Sequence, residues 1–452
     1  MAKDMTQGNP WKIIIFFSIP VLLGNLFQQF YNMADAVIVG QFLGEDALAA
    51  VGSTGSIMFL VLGFAMGIAQ GFGVLISHAF GAKDDDRLKH YVAVSLILGL
   101  VVSLAITAFT ITESRNLLLF MKTPENILDM ANHYITIIYA GILATMAFNI
   151  TASILRGVGD SKTPLYFLVL ASILNILLDL FFIVVLHSGP EGAAYATVIA
   201  QGLSALLCFI YMFTKFDLLK LRKKDFYWDW KSAWDLLSIG IPMSINYSVT
   251  AVGVMLLQGA VNVFGSSVVA SFTAASKVEA LATQTMPTLG TTMSTYCGQN
   301  LGAGKYDRIF DGMRKAFLIV IAISLFGVII TAGLGKYIVC LFLKNPSPTV
   351  LSYATAYLNT ISWFLIPLAM IFLYRSALQG LDQTLVPVMS GILELICRFL
   401  IVALCLEPFG YAAVCYTSPA AWVGAGIPLL ITYLLWKRKM ERKFPLQSKT
   451  PS

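Results

Sequence analysis

Four acidic residues, Asp35, Asp179, Glu279 and Glu394, sit inside long apolar runs of this 452-residue chain, accompanied there by two bases, Lys277 and Arg398. A charge at the centre of a membrane-length helix costs about 2.5–3.5 kcal/mol on insertion scales, so such groups are paired, protonated or turned toward a wet cavity. Asp35 is the one side chain charged at neutral pH between Ile13 and Leu43. Asn25, Gln28, Gln29 and Asn32 precede it at spacings of three and four. On a helix these five positions fall within a sector of about 120°, a single polar stripe. Amides alone also serve as interhelical hydrogen-bonding groups, but that role leaves the carboxylate unexplained. Asn175 and Asp179, in 175-NILLD-179, are four apart and share a helix face. Two carboxylates brought together in a low-dielectric site repel when both are ionised, which suits them to a proton. Na⁺ is the alternative, since oxygen-only ligands fit either ion. In the second half, Glu394 and Arg398 form a favourable i,i+4 pair. With Lys277 and Glu279 they make a charge cluster that is either structural or a second functional site.

The elements that position these groups are apolar helices. The chain is 58% hydrophobic and 12% charged, against about 25% charged in ordinary soluble domains. Runs of about 20 apolar residues, long enough to cross a bilayer, recur along the whole length. Twelve spans are expected near 13–40, 51–79, 91–112, 131–155, 164–186, 192–213, 236–264, 269–297, 316–335, 351–374, 387–406 and 411–436. The expected fold class is therefore an all-α polytopic membrane protein. The first apolar run, at about 30 residues, exceeds the roughly 7–15 of a signal-peptide core. Six cysteines without a CxxC pair read as small buried hydrophobes. The four histidines have no zinc spacing. Neither a structural metal nor a cofactor is expected, and the chain is not read as an enzyme. Residues 157-GVGD-160 match a protease-like GxGD pattern, but Asp160 lies between Arg156 and Lys162, just before Pro164, and reads as a turn. No GxxxxGK[ST] phosphate loop occurs.

Basic residues set the orientation. The N-terminus, the loops at 80–90, 156–163, 214–235, 298–315 and 375–386, and the C-terminus together hold 24 Lys and Arg, against 4 on the other side. The 4 are Arg115, Lys122, Lys336 and Lys344. By the positive-inside rule both termini are expected in the cytoplasm. This topology accounts for the basic loops without nucleic acid as a partner. The segment 220-KLRKKDFYWDW-230 suits a membrane interface.

The chain also repeats itself at a shift of about 220–223 residues. Ile19-Pro20 recurs as Ile241-Pro242, 81-GAKDDDR-87 as 302-GAGKYDR-308, and 156-RGVGDSKTP-164 as 379-QGLDQTLVP-387. Six spans per half return the chain to its starting side. The halves are thus expected to be related by a pseudo-two-fold along the membrane normal, the parallel repeat of transporters. The expected organisation is an N-terminal lobe at 1–213, a linker at 214–235, a C-terminal lobe at 236–436 and a basic tail at 437–452. A central cleft between two pseudo-symmetric six-helix lobes is expected, with alternating access by lobe rocking.

The opening IP..LGNLFQQFYNMADAVIVGQFLG, the FGAKDDDR and LGAGKYDR loops and RGVGDSKTP resemble the multidrug and toxic compound extrusion (MATE) family, over nearly the whole chain. The resemblance implies secondary active efflux of small organic, often cationic, compounds, driven by H⁺ or Na⁺ and located in the cell (inner) membrane. It implies a cation or proton site in the N-terminal lobe at Asp35, Asn175, Asp179 and Thr197. It also implies a supporting network of Pro20, Tyr31, Tyr134 and Asn149. Proline removes an intrahelical hydrogen bond, so Pro20 lets the first span bend. The repeat of Asp35 falls at Leu257 or Gln258 and that of Asn175 at Arg398, so the second half lacks this site. Some members use C-lobe acids, but no acid stands in the first half of the seventh span here.

The rival within the same superfamily is a lipid-linked oligosaccharide flippase. Flippases carry several arginines for phosphate-bearing lipids, whereas here Arg398 is the one arginine clearly within an expected span. A passive channel is the rival from another class. The expected partners are the lipid bilayer and small organic substrates, with the protein acting as a monomer.

Overall fold

A computed structural model describes residues 3–121, 123–342 and 347–444. Lys122, Lys344 and the end of the basic tail from 445 lie outside the described residues. Among those residues the chain is helical, with no strand. The first half comprises α1 (Pro10–Leu43), α2 (Glu45–Ala82), α3 (Asp85–Phe120), α4 (Glu125–Ala140), α5 (Ile142–Gly157), α6 (Lys162–Asp179) and α7 (Gly189–Lys215). The second comprises α8 (Trp230–Asn262), α9 (Ser266–Thr283), α10 (Thr285–Gly302), α11 (Tyr306–Val328), α12 (Gly335–Phe342), α13 (Pro348–Ser362), α14 (Leu365–Gly380), α15 (Leu385–Phe409) and α16 (Tyr411–Lys443).

Among the described residues nine helices are long and apolar enough to cross a membrane. Two bent pairs, α4 with α5 at 44° and α13 with α14 at 52°, raise the number to eleven. The remaining expected span, 269–297, is the broken pair α9 and α10, which is rich in Ser and Thr. Short polar side chains begin several of these helices, accepting backbone N–H groups that the helix itself leaves unpaired. Asp84 accepts from Arg87 N at the start of α3. Asp160 accepts from the backbone N–H of Lys162 and Thr163 and from the Thr163 hydroxyl at the start of α6. Asp229, ahead of α8, is held below the usual carboxylate range by the Ser232 hydroxyl and by the backbone N–H groups of Ser232 and Lys231.

The chain forms two compact units, Met1–Asp4 with Phe16–Ser248, and Met5–Ile15 with Val249–Ser452. The divisions fall inside α1 and α8, so each of these helices begins in one unit and ends in the other. In the first unit α2 carries Gly63, Gly67 and Gly71 at spacings of four, which lets α8 approach its backbone. A Cβ at Gly71 would lie 2.4 Å from Gly240 Cα, and one at Gly67 would lie 2.5 Å from Ser244 Cα. Around this crossing lies a core that includes Phe72, Ile76, Leu88, Ile154, Met212 and Leu236.

The backbone repeats as the sequence does. Left-handed residues occur in matched pairs: Gly44 with Gly265, Lys83 with Gly304, Gly159 with Asp382, and Gly189 with Gly410. Each pair is separated by 221 to 223 positions. The two helix breaks, at Gly141 and at Trp363-Phe364, obey the same offset.

The repeated GA(K/G)…DR segments hold the chain leading into α1 and α8. In the second unit Arg308 donates to the carbonyls of Met5 and Gly8, at 3.0 and 2.9 Å. Lys305 Nζ donates to Thr6 O, and Met5 N donates to the buried Gln299 Oε1. In the first unit Arg87 donates to the Tyr91 hydroxyl, which in turn donates to Asp235 of α8. Lys224 pairs with Asp86, and Tyr227 stacks on His90 with ring centroids 3.9 Å apart.

Candidate functional site

α6 and α7 form the hairpin that presents the first group of site residues. Asn175 Nδ2 donates to Thr197 Oγ1 at 3.2 Å, joining the two helices. One turn on, Asp179 is fully buried at the last position of α6. Directly after it the backbone widens into π-helical turns, Leu180–Val185. Such widenings recur at functional sites because they re-aim a side chain without ending the helix. Asp35 reaches the same place from α1, and Tyr31 and Tyr134 lie within electrostatic range of both carboxylates. Gln28 hydrogen-bonds the Tyr31 hydroxyl.

Four buried oxygens of this group, Asp35 Oδ1, Asn175 Oδ1 and both of Asp179, have no hydrogen-bond partner among the described residues. Buried polar atoms are nearly always partnered. A cluster of acceptors without a donor is chemically complementary to a proton or a hard cation.

The other residues named from the sequence fall into place around this cluster or away from it. On the polar stripe, Asn25 and Gln28 are half-buried, whereas Gln29 and Asn32 are exposed. Asn149 is half-buried on α5 and donates to Thr145 O of its own helix. Pro20 is buried within α1. Fifteen residues separate it from Asp35, about 22 Å along a helix, so any effect it has on the carboxylates acts through the helix.

In the second unit Glu394 is the centre of a buried ionic group. Its Oε1 accepts from Arg398 at 2.7 Å and its Oε2 from Arg375 at 2.9 Å. Glu279 accepts from the Tyr357 hydroxyl at 2.8 Å and lies within electrostatic range of Arg398. Gly253 on α8 leaves room for the Arg398 guanidinium, since a Cβ there would meet Nη1 at 2.1 Å. Lys277 is exposed and forms no ion pair among the described residues. It stands two residues from Glu279, a spacing that sends the two side chains to different helix faces. Arg375 is the member the sequence reading missed. Assigned to the loop at 375–386, it lies instead within α14, which runs to Gly380.

Arg156 was likewise placed in a loop and stands in the last turn of α5. Arginines within helices are therefore more numerous than Arg398 alone. Two of them, Arg375 and Arg398, share one carboxylate.

The MatE family profile matches residues 20–181 and 242–404, two copies whose starts are 222 residues apart. The "Probable multidrug resistance protein YpnP" of Bacillus subtilis (strain 168) is 30% identical over 369 residues, covering 80% of this chain and 81% of that protein. The "Probable multidrug resistance protein NorM" of Thermotoga maritima is 23% identical over 445 residues, covering 97% and 92%. A crystal structure of MATE in complex with MaL6 superimposes with a TM-score of 0.89 at 24% identity, covering 97% of this chain and 99% of that one. An outward-facing MATE family transporter of the MOP superfamily gives 0.88 at 24% identity. These structures share the fold. With its two profile matches, its repeated backbone and its helical membrane architecture, the chain belongs to the MatE family, the multidrug and toxic compound extrusion transporters.

Proposed function

We propose that this protein exports small organic, often cationic, compounds from the cytoplasm in exchange for H⁺ or Na⁺. Asp35 and Asp179 take up the coupling ion, with Asn175 and Thr197 supplying further oxygens. Loading of this site and binding of substrate compete, and the competition drives release as two lobes, at 1–213 and 236–436, alternate in access. The protein works as a monomer in the cell membrane with both termini cytoplasmic. The reading is supported above all by the four buried acceptor oxygens at Asp35, Asn175 and Asp179 that lack a donor. The names of the relatives, multidrug resistance and multidrug export proteins, agree with the cargo.

A flippase for phosphate-bearing lipids is less well supported. Arg375 and Arg398 are already engaged by Glu394, so neither guanidinium is free for the phosphate that such a cargo carries.

The test is a titration of tetraphenylphosphonium binding to the purified protein as pH and Na⁺ are varied separately. Binding is expected to weaken about tenfold as the coupling ion loads the site. The dependence is expected to vanish in Asp35→Asn and Asp179→Asn. An affinity that ignores both ions in the unmodified protein contradicts the proposal.

A further inference from the structure

The first unit holds a second polar cluster with the opposite imbalance. Arg156, in the last turn of α5, is half-buried, and its one side-chain hydrogen bond among the described residues goes to Ser153 Oγ at 3.5 Å. Among the described residues no carboxylate pairs with it. Asp160, four residues on, engages both of its oxygens at the start of α6. The groups within electrostatic range of Arg156 are the Tyr247 hydroxyl on α8 and the Cys208 thiol on α7. Tyr247 packs on Gly63 of α2, its Cβ 3.4 Å and its ring Cδ1 3.6 Å from a Cβ placed there. Its hydroxyl accepts from Gln70 Nε2 at 2.7 Å, so the hydroxyl's own proton stays available. α5 and α8 thus bring together a guanidinium and a phenol with hydrogens to donate, with no anionic acceptor paired to either among the described residues.

A buried charge without a counter-charge is costly. The carbonyl end of α5 favours a cation here but offers the planar fork of a guanidinium no bidentate partner. The geometry points to an oxyanion subsite, in which Arg156 and Tyr247 bind the carboxylate or phosphate of a small molecule or a lipid headgroup. A bidentate oxyanion matches the guanidinium fork, and the Tyr247 hydroxyl supplies a third hydrogen bond. The subsite widens the recognised chemistry to compounds that carry a negative group. It does not depend on the coupling role of Asp35 and Asp179, and its test needs no ion gradient.

The repeat itself supplies a variant compatible with the fold. The position matching Arg156 in the second half is Gln379, itself buried, so Arg156→Gln places a side chain the architecture already accommodates.

Full-length protein in detergent is titrated with dansylglycine, a carboxylate, and with dansylcholine, a quaternary ammonium of the same fluorophore. Arg156→Gln is expected to weaken dansylglycine at least tenfold and to leave dansylcholine within twofold. Arg156→Lys is expected to be intermediate, because the charge stays and the fork is lost. Tyr247→Phe is expected to weaken dansylglycine about threefold, and it serves as the test if Arg156→Gln fails to fold. Competition by dihexanoyl phosphatidylglycerol, but not phosphatidylcholine, assigns the subsite to a lipid headgroup. Its absence assigns the subsite to a soluble oxyanion. The proposal is overturned if the unmodified protein does not bind dansylglycine, if neither variant changes its affinity, or if both dyes weaken in parallel with a lowered unfolding temperature.

Discussion

At the residue scale the molecule is a set of unequal donors and acceptors. Asp35, Asn175 and Asp179 bring oxygens together without donors, whereas Glu394 divides its two oxygens between Arg375 and Arg398. These arrangements predict different consequences of removing a charge. Glu394→Gln removes the carboxylate paired with both Arg375 and Arg398 and leaves Glu279, in electrostatic range of Arg398, as the remaining acid of the group. Breaking a buried pair in this way costs about 3–5 kcal/mol, so the unfolding temperature in detergent is expected to fall sharply. Replacing Glu394, Arg375 and Arg398 together by Met is expected to recover most of that loss; a triple variant no more stable than Glu394→Gln would speak against a structural ion group. Asp179→Asn, by contrast, relieves the proximity of two carboxylates and is expected to keep or raise thermal stability while ion-dependent transport is lost. The acids were legible in the sequence because few charges interrupt its apolar runs. The pairing of Glu394 with Arg398 was legible because i,i+4 spacing fixes a shared face. Arg375 escaped because the reading ended that helix at 374, less than two turns before its end at Gly380. The π-helical turns after Asp179 left no sequence signal, since a widened backbone has no residue signature of its own.

At the scale of elements, close backbone approach and the two clasps do most to fix the helices. Gly71 meets Gly240 across α2 and α8 with no room for a Cβ. Gly71→Val is therefore expected to abolish accumulation of folded protein. Gly55→Ala, in the same helix with nothing within 4 Å of its Cβ, is expected to leave stability unchanged or raise it by up to about 1 kcal/mol. Thermal unfolding of the two variants side by side checks both outcomes. The clasp formed by Arg308 predicts a local effect. Arg308→Ala removes the hydrogen bonds to Met5 and Gly8, and amide exchange over residues 5–8 is expected to rise at least tenfold. Arg87→Ala, which acts at the start of α8, is expected to leave that segment's exchange unchanged. The repeated GA(K/G)…DR segments were visible in the sequence as an echo. Their part in holding the start of α1 and α8 was not, because it depends on contacts between 138 and 303 positions apart.

At the scale of the whole molecule, duplication preserved the backbone more faithfully than the chemistry. Four pairs of left-handed residues and two helix breaks recur at offsets of 221 to 223, while Asn175 has Arg398 as its counterpart and Arg156 has Gln379. The proposed exchange therefore places ion coupling in the first half and a neutralised ion group in the second. The most direct measurement is the movement of a fluorescent organic cation, such as ethidium, across proteoliposomes. An H⁺ or a Na⁺ gradient is imposed separately, each directed against the dye flux, with Asp35→Asn and Asp179→Asn in parallel. The account predicts that at least one gradient accelerates transport by the unmodified protein several-fold. It also predicts that both variants fall to the rate of protein-free liposomes while still binding the dye. Transport that ignores both gradients, or either variant pumping at the unmodified rate, would contradict it.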